Sequence, residues 1–273
     1  MSRQQQDLEK IAEGREAEIF AWQDGAVLRL LRNQNARQQV EWEAQAMRAA
    51  GAAGVSVPTV QGTTTVQERP GLIMERIDGT DMLTMIGQRP WLLLGAARDF
   101  GEIHAQLHET EAPSDLPALR ALLKRRIESS ELVPKPLAEL AIARLEELPD
   151  GDRLCHGDFH PGNIIWRDGR PVIIDWTNVT RGDPAADYAR TDLMLRMGDP
   201  PPGSSRLLRA LALVGRGVML WAYHRAYQKT RPMDAALVSR WEVPVMANRL
   251  VEDIEPERPK LLNILEERLG ASG

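Results

Sequence analysis

The chain has 273 residues, of which 43% are hydrophobic and 27% are charged, as in an ordinary globular protein with one or two domains. Its formal charge of −5 argues against a nucleic-acid-binding protein, which usually carries a basic excess. The single cysteine, Cys155, excludes an intrachain disulfide, and the polar N-terminus lacks the apolar core of a signal peptide. Because arginines also interrupt the most apolar segment, residues 207–223, we expect a cytoplasmic protein without membrane spans.

The first quarter of the chain predicts a small β-rich lobe with one helix. Residues 17–31 hold two β-prone runs around Asp24-Gly25, which is a strong hairpin signal. Good helix formers at helical spacing follow over residues 36–50. Residues 59–77 then predict two more strands around a turn at Pro70-Gly71.

After Gly79 the pattern becomes mainly helical. Amphipathic stretches predict helices over 90–110, 116–132 and 136–148, and short strands interrupt them at 153–155, 163–167 and 171–176. From Ala185 onward the chain is helical again, with breaks at 198–205, 230–233 and 255–259. The sequence therefore predicts an α+β protein with two lobes, residues 1–76 and 77–273, and a site in the crevice between them.

One segment, LCHGDFHPGNIIWRDGRPVIID over residues 154–175, concentrates side chains that suit catalysis. Asp158, Asn163 and Asp175 follow each other at spacings of five and twelve residues. A loop aspartate can accept or orient the proton of a hydroxyl, while an amide oxygen and a second carboxylate are good Mg²⁺ ligands. Base, metal Asn and metal Asp in this order are the components of kinase-type phosphoryl transfer.

A simpler interpretation is that GDFHPGN is only a turn, because Asp, Gly, Asn and Pro are common loop formers. The position of Asp175 at the end of the apolar run PVIID argues against it, since a carboxylate there serves function more often than packing. Gly157 and Gly162 would let the backbone turn sharply on either side of the loop.

HGDFHPGN followed by IIDW resembles the signature of the aminoglycoside phosphotransferase family, which includes choline, ethanolamine and other small-molecule kinases. The resemblance implies the two-lobed fold of the protein kinases, with a small antiparallel β-sheet lobe carrying one helix and a larger helical lobe. It implies that Asp158 is the catalytic base and that Asn163 and Asp175 hold Mg²⁺. It also implies that His156 braces the loop, and it assigns His160 no definite role.

The resemblance extends to the nucleotide-binding side. EWEAQAMRAAGAAGVSVPTV resembles the family's helix with an ion-pairing glutamate, which maps to Glu43, with Glu41 as the second candidate. LIMERIDGTDM resembles the hinge, where backbone groups near Glu75 and Ile77 would meet the adenine of ATP. The loop EGREAEIF would cover the nucleotide, although it has a single glycine.

Arg29 is the clearest departure from the family pattern, because it stands where the family usually places a lysine that binds the α- and β-phosphates. Arginine keeps its charge and can hold phosphate through two N–H groups, so the role can survive the change. Glu43 would then fix Arg29 through an ion pair. The alternative is that Arg29 is simply an exposed strand residue.

These features predict an ATP- and Mg²⁺-dependent kinase that phosphorylates a hydroxyl of a small molecule. The acceptor is left open between an antibiotic of the aminoglycoside type and a metabolite such as choline, homoserine, thiamine or a sugar. A nucleotide-binding regulator without turnover is a third alternative. Trp176, Asp187 and the helices of residues 204–250 are predicted to line the acceptor pocket.

Two further predictions concern the core. The tryptophans and methionines of the C-terminal helices, Met219, Trp221 and Trp241, are expected to pack inside the protein. Cys155 is expected to be a small core residue and not a nucleophile.

Overall fold

A five-stranded antiparallel sheet begins the structure, a computed structural model that describes residues 8–14, 16–198 and 205–270. Its strands are Lys10–Glu13 (β1), Ala17–Ala21 (β2), Ala26–Leu31 (β3), Val60–Val66 (β4) and Arg69–Glu75 (β5). They lie in the order β1-β2-β3-β5-β4. The β2–β3 pair confirms the predicted hairpin, and Gly25 adopts a φ of 72° in its turn.

The central strand β3 is buried along its whole length, so both of its faces are covered. Leu28 and Leu30 pack with Phe20 and Val66 on one face. The alternating residues, among them Arg29, point to the other face, where the helix Arg37–Ala52 (α1) packs against the sheet. Strand periodicity thus directs Arg29 toward the helix that carries Glu43.

The turn between β4 and β5 differs from the prediction. Pro70 and Gly71 lie inside β5, and the turn is formed by Gln67 and Glu68, whose φ angles are 49° and 65°. Positive φ at both central residues is the geometry of a two-residue hairpin loop. Gly71 is needed for packing, because a Cβ at this position would lie 2.7 Å from the Cδ1 of Leu28.

Helices dominate the chain after Glu75. They are Met82–Gln88 (α2), Leu93–Leu107 (α3), Leu119–Glu128 (α4), Lys135–Glu146 (α5), Pro184–Met197 (α6), Arg206–Thr230 (α7), Ala235–Val251 (α8) and Arg258–Gly270 (α9). Of these, α2 was not predicted; it is capped by Asp81, whose side chain accepts a hydrogen bond from the N–H of Thr84 at 2.9 Å. Most of the predicted break at residues 198–205 lies outside the described residues.

Among the predicted core residues of the C-terminal helices, Met219 and Trp241 are buried as expected. The prediction for Trp221 is wrong, since it is 59% exposed on the outer side of α7, with the guanidinium of Arg225 6.0 Å from its ring centre. Cys155 is fully buried, and this burial raises the pKa of its thiol well above the usual value. The expectation of an inert core cysteine is therefore confirmed.

Four short strands lie in or next to the segment of residues 154–175. They are Thr80–Asp81 (β6), Arg153–Cys155 (β7), Ile164–Arg167 (β8) and Arg170–Ile173 (β9), and β7 pairs with a fifth, Thr180–Gly182 (β10). The β8–β9 hairpin turns at Asp168-Gly169, as predicted, with φ angles of 50° and 78°. The connector between β5 and β6 contains the predicted boundary between residues 76 and 77. No described helix is long and apolar enough to span a bilayer.

Candidate active site

The backbone path of the loop after β7 depends on one glycine. Gly157 has a φ of 75°, and a Cβ there would lie 2.2 Å from the carbonyl oxygen of Asn178, so a larger residue would clash with the backbone. Gly162 has no such conformation; it lies in a 3₁₀ turn over Pro161–Asn163 and donates its N–H to Nδ1 of His160 at 3.1 Å. The predicted sharp turn is therefore found at Gly157 and not at Gly162.

Asp158, the predicted base, lies in this loop with an arginine and a histidine beside its carboxylate. Oδ1 lies 3.5 Å from a guanidinium nitrogen of Arg190, and Oδ2 lies 3.6 Å from Nε2 of His160. Burial alone would raise the pKa of Asp158, but the contact with His160 and the charge of Arg190 outweigh it and lower that pKa to about 2. Asp158 is therefore ionised at neutral pH.

Asn163 and Asp175, the predicted metal ligands, are held side by side by the backbone. The N–H of Ile174 donates to the carbonyl oxygen of Asn163 at 2.9 Å, which places Asp175 next to that residue. The side-chain amide of Asn163 donates to the backbone oxygen of Asp158 at 2.9 Å, which turns its own Oδ1 away from this bond. An amide oxygen and a half-exposed carboxylate form a hard donor set that fits Mg²⁺.

The predicted ion pair between Arg29 and Glu43 is confirmed. Nη1 of Arg29 donates to both carboxylate oxygens of Glu43, at 3.0 and 2.9 Å, and both side chains are buried. Glu41, the second candidate, instead accepts a hydrogen bond from Thr63 near the surface. Because Arg29 is only 8% exposed, the alternative of an exposed strand residue is wrong.

Arg29 also contacts the segment that follows β9. Its Nη2 donates to Oγ1 of Thr177 at 2.6 Å, and that hydroxyl donates to Oδ1 of Asp175 at 2.6 Å. The chain Glu43–Arg29–Thr177–Asp175 therefore joins helix α1 and the sheet to the predicted metal ligand. Burial raises the pKa of Glu43 to about 7, although Arg29 opposes the shift. The ionised form of Glu43 thus depends on its arginine partner.

The predicted hinge residues have different surroundings. The N–H of Glu75 already donates to the carbonyl oxygen of Thr59 at 2.8 Å, so it is not free for an adenine. The Glu75 carboxylate accepts hydrogen bonds from Thr59 and from Arg167 of β8, which ties the end of β5 to the larger lobe. Ile77 makes no backbone hydrogen bond within the described part of the chain, so its polar groups are available.

Asp187, predicted to line the acceptor pocket, has a different place. Its side chain is fully buried, and it accepts hydrogen bonds from the backbone N–H groups of His156 and Gly157, at 2.7 and 2.9 Å. His104 and His108 approach the same carboxylate through Nε2, at 3.3 and 3.2 Å. The prediction was wrong because a carboxylate next to the loop serves here to hold its backbone and not to face a substrate.

Two tyrosines fix the protonation of this network. The hydroxyl of Tyr223 lies 2.9 Å from Nδ1 of His104, and that of Tyr227 lies 2.6 Å from Nδ1 of His108. With each Nδ1 accepting from a tyrosine, each Nε2 carries the proton that it donates to Asp187. Burial lowers the pKa of His104 to about 3, so this histidine is neutral. Although burial alone would raise the pKa of Asp187, these hydrogen bonds hold it well below its usual range.

His104, His108 and Asp187 also place their ligand atoms within 4.8 Å of one another, close enough to hold a metal ion. Each Nε2 is nevertheless a donor in a complete hydrogen-bond network, and Asp187 accepts two backbone N–H groups as well. We therefore interpret the cluster as a structural network.

The prediction that Trp176 lines the acceptor pocket is also wrong. Only 2% of this side chain is exposed, and its indole N–H donates to the carbonyl oxygen of Ile173.

Sequence reasoning missed Thr177 and Arg190. Thr177 directly follows the IIDW motif, but nothing in the sequence indicates that its hydroxyl bridges Arg29 and Asp175. Arg190 follows the GDPAAD stretch on α6, where it reads as an ordinary helical arginine. Its Nε donates to the carbonyl oxygen of Gly157, and the same guanidinium faces Asp158. The contact of Thr177 with Arg29 and the contact of Arg190 with Gly157 each join parts of the chain that are distant in sequence.

The model of the phosphotransferase enzyme family matches residues 7–231, which is most of the chain. The chain belongs to the phosphotransferase enzyme family. It is accordingly a kinase, as the loop around Asp158 predicts. No curated protein sequence matches it.

Solved structures with this fold include several kinases of low sequence identity to this chain. Amicoumacin kinase in complex with AMP-PNP, Ca²⁺ and Ami has a TM-score of 0.67 and 12% identity, covering 99% of this chain and 90% of that one. An apo thermostable mutant of aminoglycoside phosphotransferase APH(4)-Ia has a TM-score of 0.63 and 17% identity, covering 97% of this chain and 93% of that one. A putative fructosamine-3-kinase from Haemophilus somnus 129PT has a TM-score of 0.64 and 15% identity, covering 96% of this chain and 90% of that one. These likenesses establish the predicted kinase-like fold.

We predict that Asp187→Asn destabilises the protein by about 1.5–3 kcal/mol, because an amide cannot accept from four N–H donors and one buried donor loses its partner. Urea denaturation at neutral pH measures the loss. Asp192→Asn, on the same helix, is the matched control; its carboxylate is paired with Arg196 and His224 near the surface, so a cost below about 1 kcal/mol is expected. Equal small losses in the two variants would contradict the structural role of Asp187.

The contact of Arg29 with Glu43 predicts coupled effects on nucleotide affinity. Arg29→Ala should weaken ATP binding roughly 10- to 100-fold, because a charge-assisted contact with phosphate contributes about 1.5–3 kcal/mol. Arg29→Lys should recover part of this affinity, and Glu43→Ala should lose less. Calorimetry on the two single variants and the double variant should give less than additive losses, since the two side chains act as one unit. Additive losses, or normal binding by Arg29→Ala, would separate Arg29 from the nucleotide.

Proposed function

We propose that this kinase transfers the γ-phosphate of ATP, as its magnesium complex, to a hydroxyl group of a small molecule. The observation that carries the proposal is that a continuous series of contacts joins four predicted side chains. Asp158 lies beside Asn163, the backbone joins Asn163 to Asp175, and Thr177 links Asp175 to Arg29. Kinase-type phosphoryl transfer needs positioning and charge stabilisation from these kinds of groups.

The nucleotide would lie between the sheet and the loop around Asp158. Ile77 offers free backbone groups at the hinge for the adenine, and Arg29 offers a guanidinium oriented toward Asp175 for the phosphates. The choice of ATP is supported by the AMP-PNP found in amicoumacin kinase and in a ternary complex of APH(4)-Ia with hygromycin B. Both proteins resemble this chain in fold, and their bound nucleotide supports the proposal that this chain uses ATP.

Asp158 would act mainly by orienting the acceptor hydroxyl. With a pKa of about 2 it is a weak base, so it accepts the hydroxyl proton as a hydrogen bond first and takes it only as the O–P bond forms. Asn163 and Asp175 would hold Mg²⁺, which when bound neutralises the charge on the phosphate oxygens. Arg190 and His160 keep Asp158 ionised until that transfer.

The alternative of a regulator without turnover loses support from the same geometry. A protein that only binds a nucleotide has no need of an ionised carboxylate beside the metal ligands, kept charged by Arg190 and His160. The acceptor is a separate question, because one fold determines no single substrate. Proteins with this fold include an amicoumacin kinase, a putative fructosamine-3-kinase and a phosphotransferase that binds hygromycin B.

We expect Asp158→Asn to lower turnover by about 10²- to 10⁴-fold and to leave ATP binding unchanged, because Asp158 addresses the acceptor and not the nucleotide. Turnover and ATP affinity are measured on the same preparation. Asp168→Asn, the same substitution at the tip of the β8–β9 hairpin, should keep full activity. If Asp158→Asn retains more than about a tenth of wild-type turnover, another group serves the acceptor.

Asp175→Ala should abolish the part of ATP affinity that depends on Mg²⁺, together with the thermal stabilisation that Mg·ATP provides. Calorimetric titration with ATP, in the presence of Mg²⁺ and then of EDTA, separates the two contributions. Asp150→Ala is the control, because this aspartate is exposed and pairs only with Arg120. A Mg²⁺-dependent affinity equal to that of the wild type would place the metal elsewhere.

A further inference from the structure

A cleft of about 470 Å³ lies beside the candidate active site. Its walls are the end of β3 with the start of α1, the helix α4, and residues Thr177–Val179, which follow Asp175. Thr177 is shared between the cleft and the site, since its hydroxyl bonds to both Asp175 and Arg29. A molecule in this cleft would therefore lie next to the predicted phosphate-binding groups.

Arg126 brings the opposite wall close to the catalytic loop. Its guanidinium donates to Oδ1 of Asn178 at 3.4 Å, on the segment that follows Asp175. Burial and the positive charge of Arg190 lower the pKa of Arg126. Asn178 in turn packs against Gly157, the residue before Asp158, since a Cβ at Gly157 would lie 2.2 Å from the carbonyl oxygen of Asn178. The wall of the cleft therefore adjoins the loop that carries Asp158.

Positive charge predominates in the cleft. Three arginines line it, Arg32, Arg125 and Arg126, against one carboxylate, Glu16. Arg32 already pairs with Glu13 and Glu18 outside the cleft.

Neither Arg125 nor Arg126 has a carboxylate within ion-pairing distance in the part of the chain that the structure describes. The nearby Glu252 is engaged by Arg190 and Arg249, at 2.7 and 2.6 Å. The first turn of α1, which borders the cleft, has no acidic residue and no side-chain cap. A half-buried guanidinium without an anionic partner favours an anion supplied from outside the chain.

We infer that the phosphate acceptor carries an anionic group, a carboxylate or a phosphate, which Arg126 and Arg125 bind while the acceptor's hydroxyl faces Asp158. This inference rests on the proposed kinase function and names the substrate class of the same site. A guanidinium holds such oxygens through two parallel N–H bonds, which also fixes the orientation of the molecule. Polycationic acceptors such as aminoglycosides are repelled by the unpaired arginines.

The acceptor class can be tested with hydroxyl compounds sorted by charge. Three pools are incubated with the enzyme and γ-³²P-labelled ATP: sugar acids, hydroxy acids and sugar phosphates; sugars and polyols; amino alcohols and aminoglycosides. Label should pass to the anionic pool. In a second experiment the anionic pool is treated with alkaline phosphatase, which is removed before the kinase is added. This treatment should prevent labelling if the recognised group is a phosphate and should not affect labelling if it is a carboxylate.

Arg126→Gln should raise the KM of the labelled acid roughly 10- to 100-fold while the KM of ATP is unchanged. Arg126→Lys should restore part of the affinity. The matched control is Lys124→Gln on the same helix, whose ammonium pairs with Glu146 away from the cleft and whose loss should change neither KM.

Two results would overturn the acceptor class alone. One is transfer confined to the uncharged or cationic pools; the other is an Arg126→Gln enzyme in which only the KM of ATP rises. Transfer to no pool would instead contradict the kinase function on which the inference rests, and a normal Mg·ATP affinity measured in the same preparation would show that the enzyme is folded.

Discussion

The carboxylate of Asp187 is the constraint on which the site depends. It is an ionised group without access to water. It accepts hydrogen bonds from two backbone N–H groups of the loop that carries Asp158, from His104 of α3 and from His108, which follows that helix. A buried charge is tolerated only when its lone pairs are satisfied, so the loop and helices α3 and α6 can assemble in one relative position. The backbone conformation at Gly157, and with it the position of Asp158, follows from that requirement.

The second organising element is the chain of contacts from Glu43 through Arg29 and Thr177 to Asp175. It crosses from helix α1 through the sheet to the segment after β9, so the two sides of the proposed nucleotide site are already connected to each other. Charged groups that are already oriented need little reorganisation when phosphates bind, which is how preorganised sites stabilise developing charge. Burial raises the pKa of Glu43 and the charge of Arg29 opposes that shift, so loss of Arg29 would favour the neutral form of Glu43.

The sequence predicted most features that depend on short spacings. Asp158, Asn163 and Asp175 share one loop and one hairpin, and Asp24-Gly25 and Asp168-Gly169 form the turns that their residue types favour. The errors concern contacts between distant segments. Gly71 resembles a turn residue but is required by Leu28 of a neighbouring strand.

Asp187 could not be placed from sequence, because its partners His104 and His108 lie about 80 residues away and are recognised only in three dimensions. Trp221 shows the limit of helical periodicity, which identifies faces without showing which one meets solvent.

The burial of Cys155 gives the molecule an internal reporter. This thiol is the only one in the chain, and it precedes the catalytic loop directly, at the end of a strand paired with β10. Thiolate chemistry requires both deprotonation and access, and the folded protein denies both at this position. Alkylation of the native enzyme therefore requires an opening that exposes this thiol, either at the β7–β10 pair or in the helical core around it. The alkylation rate measures how often such an opening occurs, without an introduced probe.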